Sequence, residues 1–126
     1  MQLGELKFSV LLFGLLQTLR VMARRHPAYA KRLAERNLTA QIRTADNKVA
    51  RHFTFRDGRV TSGRGIHPSA DITVTVQNAD LGVKLFSLHV DHPERIAAIK
   101  NFQLQAEGPD ELMAWILQTL GMILTH

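Results

Sequence analysis

Hydrophobic residues change their spacing twice along this chain, and this change restricts the fold more than any other feature. Between residues 3 and 25 they recur at intervals of three and four, which predicts an amphipathic helix. From residue 38 to 77 they alternate with polar residues, as in strands with one buried face. Helical spacing returns after residue 78 and is interrupted by one more alternating stretch, from Phe102 to Ala106. We therefore predict an α+β domain in which helices cover one face of a single sheet.

Turn residues set the limits of the predicted elements. His26-Pro27 ends a first helix, Leu3 to Arg25, and Pro27 opens a second over residues 28–35. Tight turns at 45–47 and at Asp57-Gly58, and a later loop, separate four strands, whose short links favour an antiparallel meander. The predicted order then continues with two helices that start near Asn78 or Asp80 and near Asp91, a fifth strand over 102–106, and a final helix from Asp110 to Leu124.

Composition narrows the class of protein. With 126 residues, of which 45% are hydrophobic, the chain is long enough for one domain with a sizeable core. We predict a single domain over 1–126, made of an N-terminal amphipathic helix (1–26) and a core (27–126). The absence of cysteine excludes disulfides and thiolate sites and fits a cytoplasmic protein. The formal net charge is +5, but the basic residues are scattered and do not alternate with aromatic ones, so we expect no nucleic-acid binding.

No residue pattern indicates catalysis. Residues 62–65 are rich in glycine, yet they form neither a phosphate-binding loop nor the G-x-S-x-G turn of a serine nucleophile. His89, Asp91, His92 and Glu94 are close in sequence, but Asp91 to Glu94 is a capping-box pattern at a helix start. We therefore predict no enzyme activity, no catalytic residue, no metal site and no cofactor.

The final helix carries two apolar stripes, although one stripe is enough to dock a helix on a core. The first consists of Leu112, Trp115, Ile116 and Ile123, and the second of Met113, Leu117, Leu120 and Leu124. A second stripe indicates burial on all sides, a partner, or apolar material other than protein. Together with the apolar face of the sheet, it indicates either a well-filled core or a cavity for a hydrophobic ligand.

Two patches of the sequence resemble the sterol carrier protein 2 (SCP2) family, over about residues 30–124. The first is Phe53-Thr54-Phe55-Arg56-Asp57-Gly58-Arg59-Val60, followed by Ala70-Asp71-Ile72-Thr73-Val74-Thr75-Val76 and Asp80-Leu81, which is similar to the family's hairpin and its alternating strand before a helix. The second, residues 99–110, resembles the family's last strand before its final helix. Here Asn101 stands where glycine is common, and Pro109 interrupts the usual Gly-Asp pair.

The resemblance implies a five-stranded, mainly antiparallel sheet with helices on one face and an apolar tunnel for a lipid, a fatty acyl chain or an isoprenoid-quinone type of molecule. Some bacterial relatives are accessory proteins of ubiquinone biosynthesis. The implied ligand-binding residues are the apolar positions on matching elements: Phe53, Phe55, Ile72, Val74, Leu85, Phe86, Phe102, Leu104, Met113, Trp115, Ile116, Leu117 and Leu120.

Two alternatives use the apolar helices as an interface. They could bind a protein partner, including a second copy of the chain in a homodimer. Residues 3–25 could also lie in a membrane surface, where Arg20, Arg24 and Arg25 would meet anionic lipid. The same arginines could instead pair with an anionic head group at the tunnel mouth, or be ordinary surface charges. We expect a cytoplasmic protein, with membrane association as one alternative.

Overall fold

The computed structural model describes residues 3–86 and 104–124, which form four helices and five strands. The helices are α1 (Leu3–Arg25), α2 (Pro27–Leu33), α3 (Ala79–Phe86) and α4 (Asp110–Leu124), and the strands are β1 (Leu38–Thr44), β2 (Ala50–Arg56), β3 (Arg59–Arg64), β4 (Ile72–Val76) and β5 (Leu104–Glu107). The helix predicted to start near Asp91 lies outside the described residues.

The strands form one sheet in the order β3-β2-β1-β4-β5. Three of the four neighbouring pairs are antiparallel and β1·β4 is parallel, which confirms a mainly antiparallel sheet. The predicted meander is wrong at its fourth strand, because β4 pairs with β1 and not with β3. Two long-range hydrogen bonds hold the start of β4 beside β1: the Asp71 N–H donates to the Thr39 carbonyl (2.7 Å), and the Thr39 N–H donates to the Asp71 side chain at Oδ2 (2.8 Å).

The connection from β3 to β4 passes over the polar face of the sheet. There the backbone N–H of His67 donates to Gln41 Oε1 at 2.9 Å, and Gln41 Nε2 donates to Thr73 Oγ1 at 2.9 Å. The rings of His52 and His67 also meet edge to face, with centroids 4.9 Å apart. Gln41 is buried as a result, although it points away from the helices.

The opposite face of the sheet is apolar and carries the helices. α1 contributes Phe8, Leu12, Leu16 and Leu19 to the core. α3 then packs on α1 at Gly82, where an added Cβ would lie 2.7–2.8 Å from carbons of the Phe8 ring. Only a glycine allows the two helices to approach so closely.

The structure confirms the predicted limits of several elements. α1 has its predicted limits, and Asp57 and Gly58 adopt the positive φ values (53° and 79°) of a tight hairpin turn. Asn78 caps α3 by accepting a hydrogen bond from the Leu81 N–H at 2.8 Å. α2 is shorter than predicted and ends at Leu33. The fifth strand continues to Glu107, whereas its predicted first residues lie outside the described part of the chain.

Candidate functional site

The helix-facing side of the sheet holds the strand residues of the predicted ligand site. Phe53 and Phe55 on β2 and Ile72 on β4 are buried. Val74, two residues beyond Ile72 on the same side, is only half-buried, and its partner Ala106 on β5 is exposed. The β1–β2 part of this face is therefore closed by protein atoms, whereas apolar surface remains accessible at the β4–β5 part.

The final helix brings three further predicted residues to this face. Trp115 packs edge to face on Phe55, with ring centroids 5.9 Å apart, and Ile116 beside it is buried. Met113 is half-buried against the core. The Trp115 stripe is therefore the docking side of α4, whereas Met113, which belongs to the neighbouring stripe, retains accessible surface.

The remaining predicted ligand-binding residues stay predictions. Leu104 lies in β5, Leu85 and Phe86 in α3, and Leu117 and Leu120 in α4, but only their backbone positions are described. Phe102 lies outside the described residues. Among the seven described positions, Val74 and Met113 differ from the others in keeping surface that a ligand could contact.

Polar anchors hold α4 against α2, and sequence reasoning missed them. Thr119 is fully buried; its hydroxyl donates to the Trp115 carbonyl (2.7 Å) and accepts from Arg32 Nε (3.1 Å). The Tyr29 hydroxyl donates to the Thr119 carbonyl at 3.1 Å. Trp115 Nε1 donates to Glu35 Oε2 at 3.2 Å. The partners that join α4 to Tyr29, Arg32 and Glu35 lie 80 or more positions away in the chain, so no local pattern could have linked them.

Burial changes the acidity of the phenol in this interface. Desolvation raises the pKa of Tyr29 to about 12, although the positive charge of the neighbouring Arg32 acts in the opposite direction. Tyr29 therefore stays a neutral hydrogen-bond donor at any physiological pH, and its contact with Thr119 is a structural one.

Two small clefts elsewhere do not resemble a lipid site. One, of about 80 Å³, lies where the start of α1 meets the start of α3 and is lined by polar residues such as Glu5, Asp46, Lys48 and Asp80. The other, of about 120 Å³, lies beside the start of β1 and includes Asn37, Arg56 and Asp71. Residues 3–86 and 104–124 contain no group of three or more histidine and acidic side chains that could hold a metal ion. The segment with His89 to Glu94 is outside that range.

Helix α1 presents a second apolar surface, which faces away from the core. Leu3, Leu6, Val10 and Phe13 are exposed, although the other side of the same helix is buried. By length and composition alone, α1 could also cross a membrane. Of the three arginines predicted to meet an anion, Arg20 donates from Nε to the Val60 carbonyl at 3.1 Å, and all three are exposed.

Comparison with known proteins supports the fold. No protein-family model and no curated protein matches the sequence. The structure is similar to that of UbiJ-SCP2, a ubiquinone synthesis protein, with a TM-score of 0.60 and 18% identity over 90% of each chain. It is also similar to a Thermus thermophilus protein described as possibly a sterol carrier protein, with a TM-score of 0.52 and 14% identity over 89% of this chain and 82% of that one.

A larger enzyme contains a similar unit. The stereoselective inverting sec-alkylsulfatase Pisa1 from Pseudomonas sp. matches 73% of this chain with a TM-score of 0.52 and 22% identity. This chain spans only 14% of that enzyme's length. Together these structures show that the chain has an SCP2-like fold.

Proposed function

We propose that this protein binds a hydrophobic ligand between the apolar face of the sheet and the helices, and that it acts without catalysing a reaction. The SCP2-like fold carries this proposal, because the similarity to UbiJ-SCP2 extends over 90% of both chains. The accessible apolar surface at Val74 and Met113 supports the proposal, and these are the residues that we propose the ligand contacts.

The chemistry of the predicted lining favours a long apolar ligand. All thirteen predicted lining residues are apolar or aromatic, so they select by shape and length. Burying a chain of about ten methylene groups provides roughly 8 kcal/mol before the costs of association. Micromolar binding requires about 8 kcal/mol after those costs, so the ligand must bury a longer chain. A lipid, a fatty acyl chain and an isoprenoid quinone all meet this requirement. UbiJ-SCP2, as a ubiquinone synthesis protein, favours testing the quinone as well.

The test is to fill the proposed site at Val74. We expect Val74→Phe to weaken binding of a fluorescent fatty acyl probe by more than tenfold, because the larger ring occupies space that the ligand needs. Its free energy of unfolding should change by less than about 1 kcal/mol, since the half-buried position leaves room for the ring. Competition with a short-chain ubiquinone would then show whether the same site accepts a quinone.

Val76→Phe is the matched control, because Val76 lies on the same strand and the same side but is fully buried. We expect this variant to lose about 1–3 kcal/mol of stability through overpacking. If both variants are destabilised equally and the wild-type protein binds no probe, the site is ordinary core and the proposal is wrong.

A further inference from the structure

The outer edge of β3 is open in the described part of the chain. β3 comes first in the order of the sheet, and it is paired there only with β2. The Gly65 N–H donates to the Ala50 carbonyl at 2.9 Å, so these two residues form a hydrogen-bonded pair at the end of the hairpin. Because bonded and unbonded pairs alternate in an antiparallel ladder, the N–H and C=O groups of Val60, Ser62 and Arg64 point away from β2. Such a row of backbone groups is a template for one more strand.

One side chain already binds to this edge. Arg20 Nε on α1 donates to the Val60 carbonyl at 3.1 Å, which agrees with a carbonyl that points outward. Farther along β3, the outward backbone groups of Ser62 and Arg64 have no hydrogen-bond partner among the described residues. The Ser62 side chain is half-buried and that of Arg64 is exposed. The second half of β3 can therefore still pair with another chain.

The hairpin that forms this edge is strongly basic. Residues 50–64 contain four arginines, at positions 51, 56, 59 and 64, and one acidic residue, Asp57. The ion pairs found within residues 3–86 and 104–124 involve none of these arginines. Arg51 and Arg64 stand opposite each other across β2 and β3. The charge beside the open edge therefore has almost one sign.

Arg51 is held in place beside the edge. Its Nη1 donates to Ser62 Oγ at 2.6 Å, and its guanidinium carbon lies 5.5 Å from the centroid of the Phe13 ring on α1. Burial, and then repulsion by Arg64, lowers the pKa of Arg51, so these two cations destabilise each other. A carboxylate at this place would remove that repulsion and accept hydrogen bonds from the guanidinium groups.

We propose that the outer edge of β3 binds an extended acidic segment of a partner protein, which adds a strand to the sheet. The backbone groups of Ser62 and Arg64 supply the main-chain hydrogen bonds, and the guanidinium groups of Arg51 and Arg64 bind carboxylates. Both arginines lie on one side of the sheet, so the acidic residues of the partner should occupy alternate positions. A second copy of this edge fits less well, because it would oppose arginine to arginine. The inference does not depend on the ligand proposed above.

The experiment is a titration of the intact protein with a short dye-labelled peptide in which glutamate and threonine alternate. We expect saturable binding that weakens at high salt. Two control peptides have the same length. One carries lysine in place of glutamate and should not bind. The other keeps every glutamate but has a central proline, which interrupts the hydrogen bonds of a strand, and it should bind about tenfold more weakly or worse.

Amide hydrogen exchange shows whether the peptide pairs with β3. Binding of the peptide should slow exchange at the amides of Ser62 and Arg64, which point outward. The amides of Thr61 and Gly63 point toward β2 and should change little. This alternation is specific to an added strand, and attraction between charges alone would not produce it.

Two double variants test the charges. R51Q/R64Q should weaken peptide binding about tenfold or more without loss of stability, because it removes two cations that repel each other. K31Q/K48Q removes two exposed lysines outside the hairpin and should bind the peptide as the wild type does. Val74→Phe, which tests the hydrophobic ligand, should also leave peptide binding unchanged.

Absence of wild-type binding, equal binding of the lysine or the proline peptide, or equal losses in the two double variants would overturn the proposal. Binding that leaves the amides of Ser62 and Arg64 unprotected would also overturn it. Competition by inorganic polyphosphate in that case would show that the arginines form a general surface for anions.

Discussion

Helices α1 and α4 both carry more apolar residues than one docking side requires, but the structure holds them in different ways. α4 is anchored to α2 by directed hydrogen bonds around the buried Thr119, in addition to the packing of Trp115 on Phe55. α1 instead docks mainly through aliphatic and aromatic side chains, with a close contact between Phe8 and Gly82 and one hydrogen bond from Arg20 to β3. Its opposite side remains apolar and exposed.

This difference shows two ways in which a helix with more than one apolar side can be held on a sheet. Hydrogen bonds are directional, so the anchors of α4 fix its rotation on the sheet and thereby decide which stripe faces the core. Apolar packing is not directional, and in α1 the shape of Phe8 against Gly82 supplies the specificity instead. Both helices keep accessible apolar surface, and we expect the hydrophobic ligand at Met113 of α4, beside the sheet.

The largest expected effect comes from breaking the anchor of α4. Arg32→Met removes the hydrogen bonds from the guanidinium to Thr119 Oγ1 (3.1 Å) and to Gln118 Oε1 (3.0 Å). We expect a loss of about 2–3 kcal/mol in the free energy of unfolding, because these bonds involve a charged donor and one buried acceptor. Denaturant unfolding followed by the fluorescence of Trp115, the single tryptophan, measures the loss. Lys31→Met, on the exposed side of the same helix, should change stability by less than about 0.5 kcal/mol, and equal effects would contradict the anchor.

The packing of α1 is tested by filling the space at Gly82. Gly82→Ala should cost about 1–3 kcal/mol, because the new methyl group meets the Phe8 ring. In a protein that also carries Phe8→Leu, which removes the ring, Gly82→Ala should cost clearly less stability. The clash is then absent, and alanine favours the helix more than glycine does. Thermal unfolding of the wild type, the two single variants and the double variant gives the coupling energy between positions 8 and 82. Additive effects would show that the contact is unimportant.

Alkaline pH tests the α2–α4 interface through Tyr29, the single tyrosine of the chain. The pKa of its hydroxyl is about 12 in the folded protein and about 10 in an unfolded chain, so the hydroxyl loses its proton more readily in the unfolded chain. Stability should therefore be unaffected below pH about 10 and should fall by up to roughly 1.4 kcal/mol per pH unit as the pH rises toward about 12. Tyr29→Phe should lack this decline. A tyrosinate absorbance titration of the folded protein with a midpoint near 10 would contradict the burial of the hydroxyl.

The smallest expected effect is a gain in stability on the outer side of α1. An added Cβ at Gly14 meets no atom within 4 Å, so Gly14→Ala introduces no clash. Because alanine favours the helix and loses less entropy on folding, we expect a gain of about 0.5–1 kcal/mol, measured by denaturant unfolding. A loss of stability would mean that this side of α1 is in contact with something and is not open.

The sequence predicted those parts of the structure that depend on neighbouring residues. Apolar spacing and His26-Pro27 define α1, and Asp57-Gly58 defines the β2–β3 hairpin. The sequence did not predict the parallel pairing of β4 with β1, because an alternating strand pairs equally well at either free edge of a sheet. Nor did it predict the Arg32–Thr119 contact, for polar residues so far apart leave no periodic signal. The apolar positions of the candidate site were recognisable, but their accessibility depends on the tertiary packing.

Native mass spectrometry of the purified protein tests the proposed ligand binding most directly. We predict a species heavier than the chain by the mass of one acyl lipid or isoprenoid quinone, or its appearance when such a ligand is added to the protein, and its loss in Val74→Phe. A wild-type protein that carries no such ligand, and that also fails to bind a fatty acyl chain or a quinone in titration, would contradict the account.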